Sequence, residues 1–284
     1  MPIAKIADGR IRYEILGEGS QSIVVTPGGR GALEAVMPLG ERLAEEGYRV
    51  LLHDRRNCGA SDLMLAGRLS EQELWADHLF ELLDRHNALP VIASGGSAGC
   101  RLSLLLALRH PEATRGLLLW SVTGGRVAAE RLGYNYYGRF IEAAQRGGMH
   151  AVAETQFFAE RIAQNPSGRE RLLETDVDAF INLFSGWRGF FHAGAELPVI
   201  GGTEEKLRTI GAPACVVPVN DEVHPLLVGE HLAELLPDAE VHRLRSDEER
   251  NALAGKSMQE IRADSLRRLG DIYGDFLSRR FPIG

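Results

Sequence analysis

The sequence is poor in several features, and each shortage removes a class of function. Its 284 residues contain no run of eighteen apolar side chains, the length that a membrane-crossing helix needs, so no transmembrane helix is expected. The opening stretch, MPIAKIADGRIRYEILG, lacks the continuous apolar core of a secretory leader. Cysteine is scarce. Cys58, Cys100 and Cys215 are an odd number without metal-ligand spacing, which argues against a disulfide framework and for a reduced, cytoplasmic setting. Basic charge is in deficit, with 32 Lys and Arg against 39 Asp and Glu, so nucleic acid is not an expected partner. There is no phosphate-binding loop, no dinucleotide glycine pattern and no pair of histidines at helical spacing. No metal and no organic cofactor is therefore expected. Internal repeats, low-complexity runs and charge blocks are missing as well.

What is present reads as a soluble globular chain, 44% hydrophobic and 25% charged. Its length suits one α/β domain with an insertion. RIRYEILG alternates as a strand of an N-terminal hairpin does. SIVV, YRVLLHD, PVIAS and GLLLWSV are short apolar runs that read as buried strands, with helical patterns between them. One such helix is opened by Ser70, with Glu73 three residues on as a capping box. The alternation predicts an α/β fold with a mostly parallel central sheet covered by helices on both faces. From about 125 to 208 the strands stop and the chain is helical and aromatic. The alternation resumes with PACVVPV, a helix, AEVHRL and a last helix from about 257 to 279. Residues 1–124 and 209–284 are thus expected to form the core domain, and 125–208 a helical cap insertion.

The most informative stretch is VIASGGSAGC, residues 91–100, where a strand runs into Gly-Gly-Ser-Ala-Gly and then a long apolar helix. It fits G-x-S-x-G in the context that this pattern requires. A sharp turn holding a serine above a sheet needs small neighbours, and Gly96 and Ala98 supply them. The plain alternative is a glycine-rich turn in which Ser97 caps a helix. Two other stretches agree with the first reading. HDRRNCGASD (53–62) carries Asp54, Arg56, Gly59 and Ser61 at the places of D-x-R-G-x-G-x-S, and TPGGRG is similar to a His-Gly-x turn with Pro27 in place of the histidine.

In these motifs and their order the chain resembles the α/β-hydrolase superfamily, specifically its serine-nucleophile members with a helical cap. The resemblance implies that Ser97 attacks an acyl carbon and that the backbone N–H groups of Gly29 and Ala98 form an oxyanion hole. Gly28 would let the chain approach the substrate. Arg30 is a candidate for meeting a substrate carboxylate, with a solvated surface arginine as the ordinary alternative. The resemblance also places the acid after the strand that follows the insertion, where VVPVNDEVHP offers Asp221, or its neighbour Glu222.

The histidine is where the sequence departs from the pattern. The family usually carries it just after the last strand, but RSDEERNALAGKS contains none. His242 lies within that strand, and His78, His86, His110 and His231 belong to covering helices. His53 ends a strand, and His150 and His192 lie in the insertion. His224, three residues after Asp221, is the core-fold histidine that chain order puts on the rim above the sheet. An imidazole, near pKa 6.5, is better matched to an alcohol than a carboxylate near 4. Three possibilities stay open: His224 as base, a histidine of the insertion such as His192, or no histidine base.

The expected partner is a small-molecule substrate, and a homodimer stays open. YNYYGRFIEAA, AVAETQFFAERIA and DAFINLFSGWRGFF concentrate aromatics in the insertion. A lid over an apolar pocket would draw on some of them, with Tyr137 and Trp187 as substrate-contact candidates, and the rest would fill the insertion's own core. Two functions follow. One is a serine hydrolase acting on an ester, a lactone or an activated carbon–carbon bond of a medium-sized organic molecule. The other is a non-hydrolytic member, a ligand-binding protein or cofactor-free lyase or cyclase, without the usual histidine.

Overall fold

In a computed structural model, which describes residues 2–283, apolar runs and alternation resolve into eight strands. They are β1 (Ile3–Ile6), β2 (Gly9–Leu16), β3 (Ser22–Thr26), β4 (Arg49–His53), β5 (Val91–Gly96), β6 (Thr114–Trp120), β7 (Ala214–Val217) and β8 (Ala239–Val241). They form one sheet in the order β1-β2-β4-β3-β5-β6-β7-β8. β1 and β2 pair antiparallel and β2 runs antiparallel to β4, whereas every pairing from β4 to β8 is parallel. β3, β5 and β7 are buried along their whole length. Both faces are covered, which is why these strands read as unbroken apolar runs.

The pleat divides the core in two. In β6, Leu117 and Leu119 point to one face and Leu118 to the other. The first face is covered by α2 (Glu71–Arg85), α3 (Ala98–Arg109) and α10 (Leu226–Leu235), through Trp75, Leu79, Leu106 and Leu232. The second is covered by α1 (Met37–Glu45) and the C-terminal helix, through Leu39, Leu43, Tyr273 and Phe276. α2 begins with the capping box read from the sequence: Glu73 N–H donates to Ser70 Oγ, and Ser70 N–H donates to Glu73 Oε2.

Between β6 and β7 the chain forms α4 (Arg126–Gly133), a π-helical turn at Tyr134–Gly138, then α5 (Arg139–Glu154), α6 (Gln156–Gln164), α7 (Gly168–Leu173), α8 (Val177–Ala193) and α9 (Glu204–Leu207). The aromatic side chains pack mainly on one another. Phe180 and Phe184 stack with centroids 4.0 Å apart, and Phe140 meets Phe158 edge-on at 5.0 Å. This segment is tied to the loop after β4. Trp187 Nε1 donates to Leu69 O, Arg161 to Ser61 O and Arg171 to Leu63 O. After β8 come α11 (Asp247–Asn251) and α12 (Met258–Arg280). Among the described residues no helix is long and apolar enough to cross a membrane.

Candidate active site

β5 ends at the glycines, and Ser97 makes the turn into α3 with φ +56° and ψ −109°. A side chain there costs on the order of 1–3 kcal/mol, so the surroundings must impose it. They do so from two sides. Ser97 N–H lies 3.1 Å from the carbonyl oxygens of both Trp120 and Ser121. The glycines flanking the turn have no room for a side chain: a Cβ on Gly96 would sit 2.1 Å from Trp120 Nε1, and one on Gly99 2.2 Å from Thr26 O. β3 and β6 therefore clamp the turn and leave only the hydroxyl free to project.

His224 Nε2 stands 2.8 Å from Ser97 Oγ. It comes from the loop joining β7 to α10, and Asp221 organises that loop. Asp221 Oδ1 accepts the backbone N–H groups of Val223 and His224, each at 3.0 Å, while Asp221 N–H donates to His224 O. This Asx-type turn brings the imidazole back over its own acid. His224 Nδ1 lies 2.9 Å from Asp221 Oδ2 and 3.0 Å from Oδ1. With its proton on Nδ1, the ring donates to Asp221 and offers Nε2 to accept the Ser97 hydroxyl hydrogen. Burial pushes the Asp221 carboxyl up. The hydrogen bond of His224, with the two backbone N–H groups and the ring's charge whenever it is protonated, outweighs it and holds the carboxyl below its ordinary range. Glu222, the neighbouring acid, turns outward and pairs with Arg131.

The remaining histidines lie elsewhere. His242 is 3.4 Å from Glu240 at the edge of the sheet, and His192 is exposed in the last turn of α8. His53 is sealed in the core with Nε2 3.1 Å from Thr26 Oγ1, and burial pushes it down to about 3.

The glycine turn after β3 closes the other side. A Cβ on Gly28 would be 3.2 Å from Gly96 O, so the two turns abut. Gly29 has φ +53°, where glycine is the undemanding choice. Its N–H and that of Ala98, in the first turn of α3, donate to no acceptor among the described residues. The HDRRNCGASD stretch holds this turn in place. The buried Asp54 carboxylate accepts Leu33 N–H and Ala60 N–H at 2.7 Å each, and Arg55 Nη2 donates to Gly29 O at 2.9 Å.

Ser97, His224 and Asp221 open on a cavity of about 720 Å³. Gly28, Trp120 and Val219 belong to its inner wall. The outer wall comes from the chain after β8, through Leu244, Arg245, Met258, Ile261, Arg262 and Leu266. This differs from the sequence-based expectation of a pocket under the insertion, since no residue of 125–208 lines the cavity. Three substrate-contact candidates lie outside it for definite reasons. Arg30, only 9% exposed, grips Glu71 through both Nη atoms and lies over the Tyr136 ring. It is therefore neither a solvated surface arginine nor part of the cavity lining. Tyr137 is fully buried and its hydroxyl donates to Glu71 Oε2. Trp187 is buried against Leu69. Arg245 and Arg262, by contrast, gave no local signal in the sequence, the first lying in the segment after the last strand and the second among the many charges of the last helix.

The family described as alpha/beta hydrolase fold matches residues 21–167, just over half of the chain. A 2-hydroxymuconate semialdehyde hydrolase of Pseudomonas putida is 30% identical over 108 residues, so the match spans 38% of this chain and 38% of that relative. Among solved structures, an enol-lactonase from Burkholderia xenovorans LB400 is 20% identical with a TM-score of 0.61, covering 96% of this chain and 99% of its own. A structure from work on carboxylesterases of the thaumarchaeon Nitrososphaera gargenis is 19% identical with a TM-score of 0.64, covering 98% of both chains. A meta-cleavage product hydrolase from Pseudomonas fluorescens IP01 is 17% identical with a TM-score of 0.61, covering 96% of this chain and 98% of its own. At these identities the solved structures establish likeness of fold.

Proposed function

Because the chain belongs to the alpha/beta hydrolase fold family, we propose that it is a serine hydrolase whose base sits on the loop after β7. Ser97 Oγ attacks an acyl carbon while His224 Nε2 takes the hydroxyl proton, and Asp221 holds the ring and balances its charge. The oxygen of the tetrahedral intermediate draws on the unspent N–H groups of Gly29 and Ala98. His224 then returns the proton to the leaving group. A water molecule, deprotonated by the same imidazole, releases the acid.

The observation that carries this reading is the unbroken contact chain from Ser97 Oγ through His224 to Asp221, 2.8 Å and 2.9 Å long. The substrate class is an ester, a lactone or an activated carbon–carbon bond. Support for that range comes from the similar proteins, which include an enol-lactonase and a 2-hydroxymuconate semialdehyde hydrolase.

A fluorophosphonate probe tests the proposal directly. Labelling of the wild-type protein is expected, with none in Ser97→Ala and strongly slowed labelling in His224→Ala. Folded wild-type protein that resists the probe would refute the activated serine and favour a non-hydrolytic role for this chain.

A further inference from the structure

The outer wall of the cavity is built firmly. Arg245 is nearly buried, and its guanidinium donates to Asp264 Oδ2 at 2.7 Å, to Ser265 Oγ at 2.9 Å and to Ile261 O at 3.3 Å. Its charge is spent inside the wall, fastening Leu244 and Arg245 to α12. Asp264 also takes hydrogen bonds from Arg267 and Arg268 and is held well below the usual carboxylate range. Arg262 is placed differently. It is exposed, and its Nη2 reaches across to Ala35 O at 3.2 Å. Among the described residues it makes no ion pair, so most of its N–H donors are uncommitted. Among the described residues the only carboxylate lining the cavity is Asp221, which is engaged by His224. Most of the rest of the lining is apolar, with Val36, Trp120, Val219 and Leu269 among it. The cavity is thus a mostly greasy trough with a catalytic hydroxyl in its wall and one uncommitted cation.

Resting on the serine-hydrolase reading, we propose that the site takes acyl compounds whose apolar chain ends in a carboxylate. The chain lies against Ile261 and Leu266 of α12, and Arg262 pairs with the carboxylate. A guanidinium meets a carboxylate as a planar fork, and a neutral ester end has nothing equivalent to offer. At an open surface such a pair gains little, but along the apolar wall of a cavity it is screened less.

Calorimetric titration of Ser97→Ala protein, which lacks the nucleophile, with monomethyl and dimethyl suberate tests this without relying on turnover. The monoester is expected to bind about tenfold tighter or more, a difference of about 1.4 kcal/mol. The added Arg262→Gln change should erase that preference, Arg262→Lys should restore part of it, and raised salt should shrink it. Leu266→Trp should weaken both ligands by filling the wall. Equal affinity for the two esters, no detectable binding, a preference that survives Arg262→Gln, or an indifferent Leu266→Trp would each overturn the proposal. Probe labelling of Ser97 is read separately, so failure of the hydrolase reading would not be mistaken for failure of this one.

Discussion

Asp221 does more than carry charge. Its Oδ1 serves two backbone N–H groups and the imidazole together, so on the proposed reading the acid also builds the loop that presents the base. Asp221→Asn would keep the turn, because an amide oxygen can accept the same N–H groups. The amide would no longer demand the proton on Nδ1, so the imidazole loses its fixed tautomer. A fall in kcat on the order of 10⁴ is expected with near-wild-type thermal stability. Ser97→Ala and His224→Ala should each lower kcat on p-nitrophenyl acetate by on the order of 10³ or more, and the double variant by no more than the worse single one. Additive losses would show that the two side chains do not act as a unit. The serine and its turn were legible from local sequence alone, because only small residues fit beside a serine bent to φ +56°. His224 was one of three open possibilities, because a histidine beside a helix start carries no signal of what lies across the cavity.

At the level of elements, the join between α2 and the β6–β7 segment is unusual in what it buries. Glu71 opens α2 with no exposure and accepts from Arg30, Asn57 Nδ2 at 2.6 Å and the Tyr137 hydroxyl at 2.8 Å. Burial pushes its carboxyl up, and Arg30 with the hydrogen bonds outweighs that and holds it down. Removing one partner of a buried ion pair strands the other, so Glu71→Ala should lower unfolding free energy by about 3–5 kcal/mol. Urea unfolding at neutral pH measures this, and a loss under about 1 kcal/mol, the range of an exposed pair, would contradict it. The capping box of the same helix was plain in the sequence, since Ser70 and Glu73 are three residues apart. The Arg30–Glu71 pair was not, because its members are 41 residues apart and each alone looks like a surface charge.

For the whole molecule, two buried histidines set the response to acid. Burial pushes His53 down to about 3 and His78 to about 4, against an ordinary value near 6.5. Below about pH 6.5 the unfolded chain binds protons that the folded one refuses, so stability is full above that value and falls on acidification. The slope should be about 1.4 kcal/mol per pH unit for each histidine, between about pH 6 and 4.5. Urea midpoints measured across that window should drop, and His53→Gln should roughly halve the slope. A flat profile would mean that neither ring is held neutral. The parallel centre of the sheet was legible, since a parallel strand buried on both faces reads as an apolar run, as β3, β5 and β7 do, whereas β1 was implied only as the hairpin partner of β2. The cavity wall was not, because α12 has to fold back over the sheet before Leu244 and Leu266 share one surface.

The placement of Asp221 and His224 within one short turn has an evolutionary corollary. Where the base follows the last strand, as the family pattern has it, that part of the chain must conserve a catalytic geometry and so cannot drift freely. On the proposed reading the acid and base travel together as a cassette after β7, and the chain beyond β8 is relieved of that duty. Ancestry could then retune this stretch for new substrates without risking the reaction itself. A laboratory library randomised at Leu244, Ile261, Arg262 and Leu266 should yield many variants with altered selectivity and few that are inert.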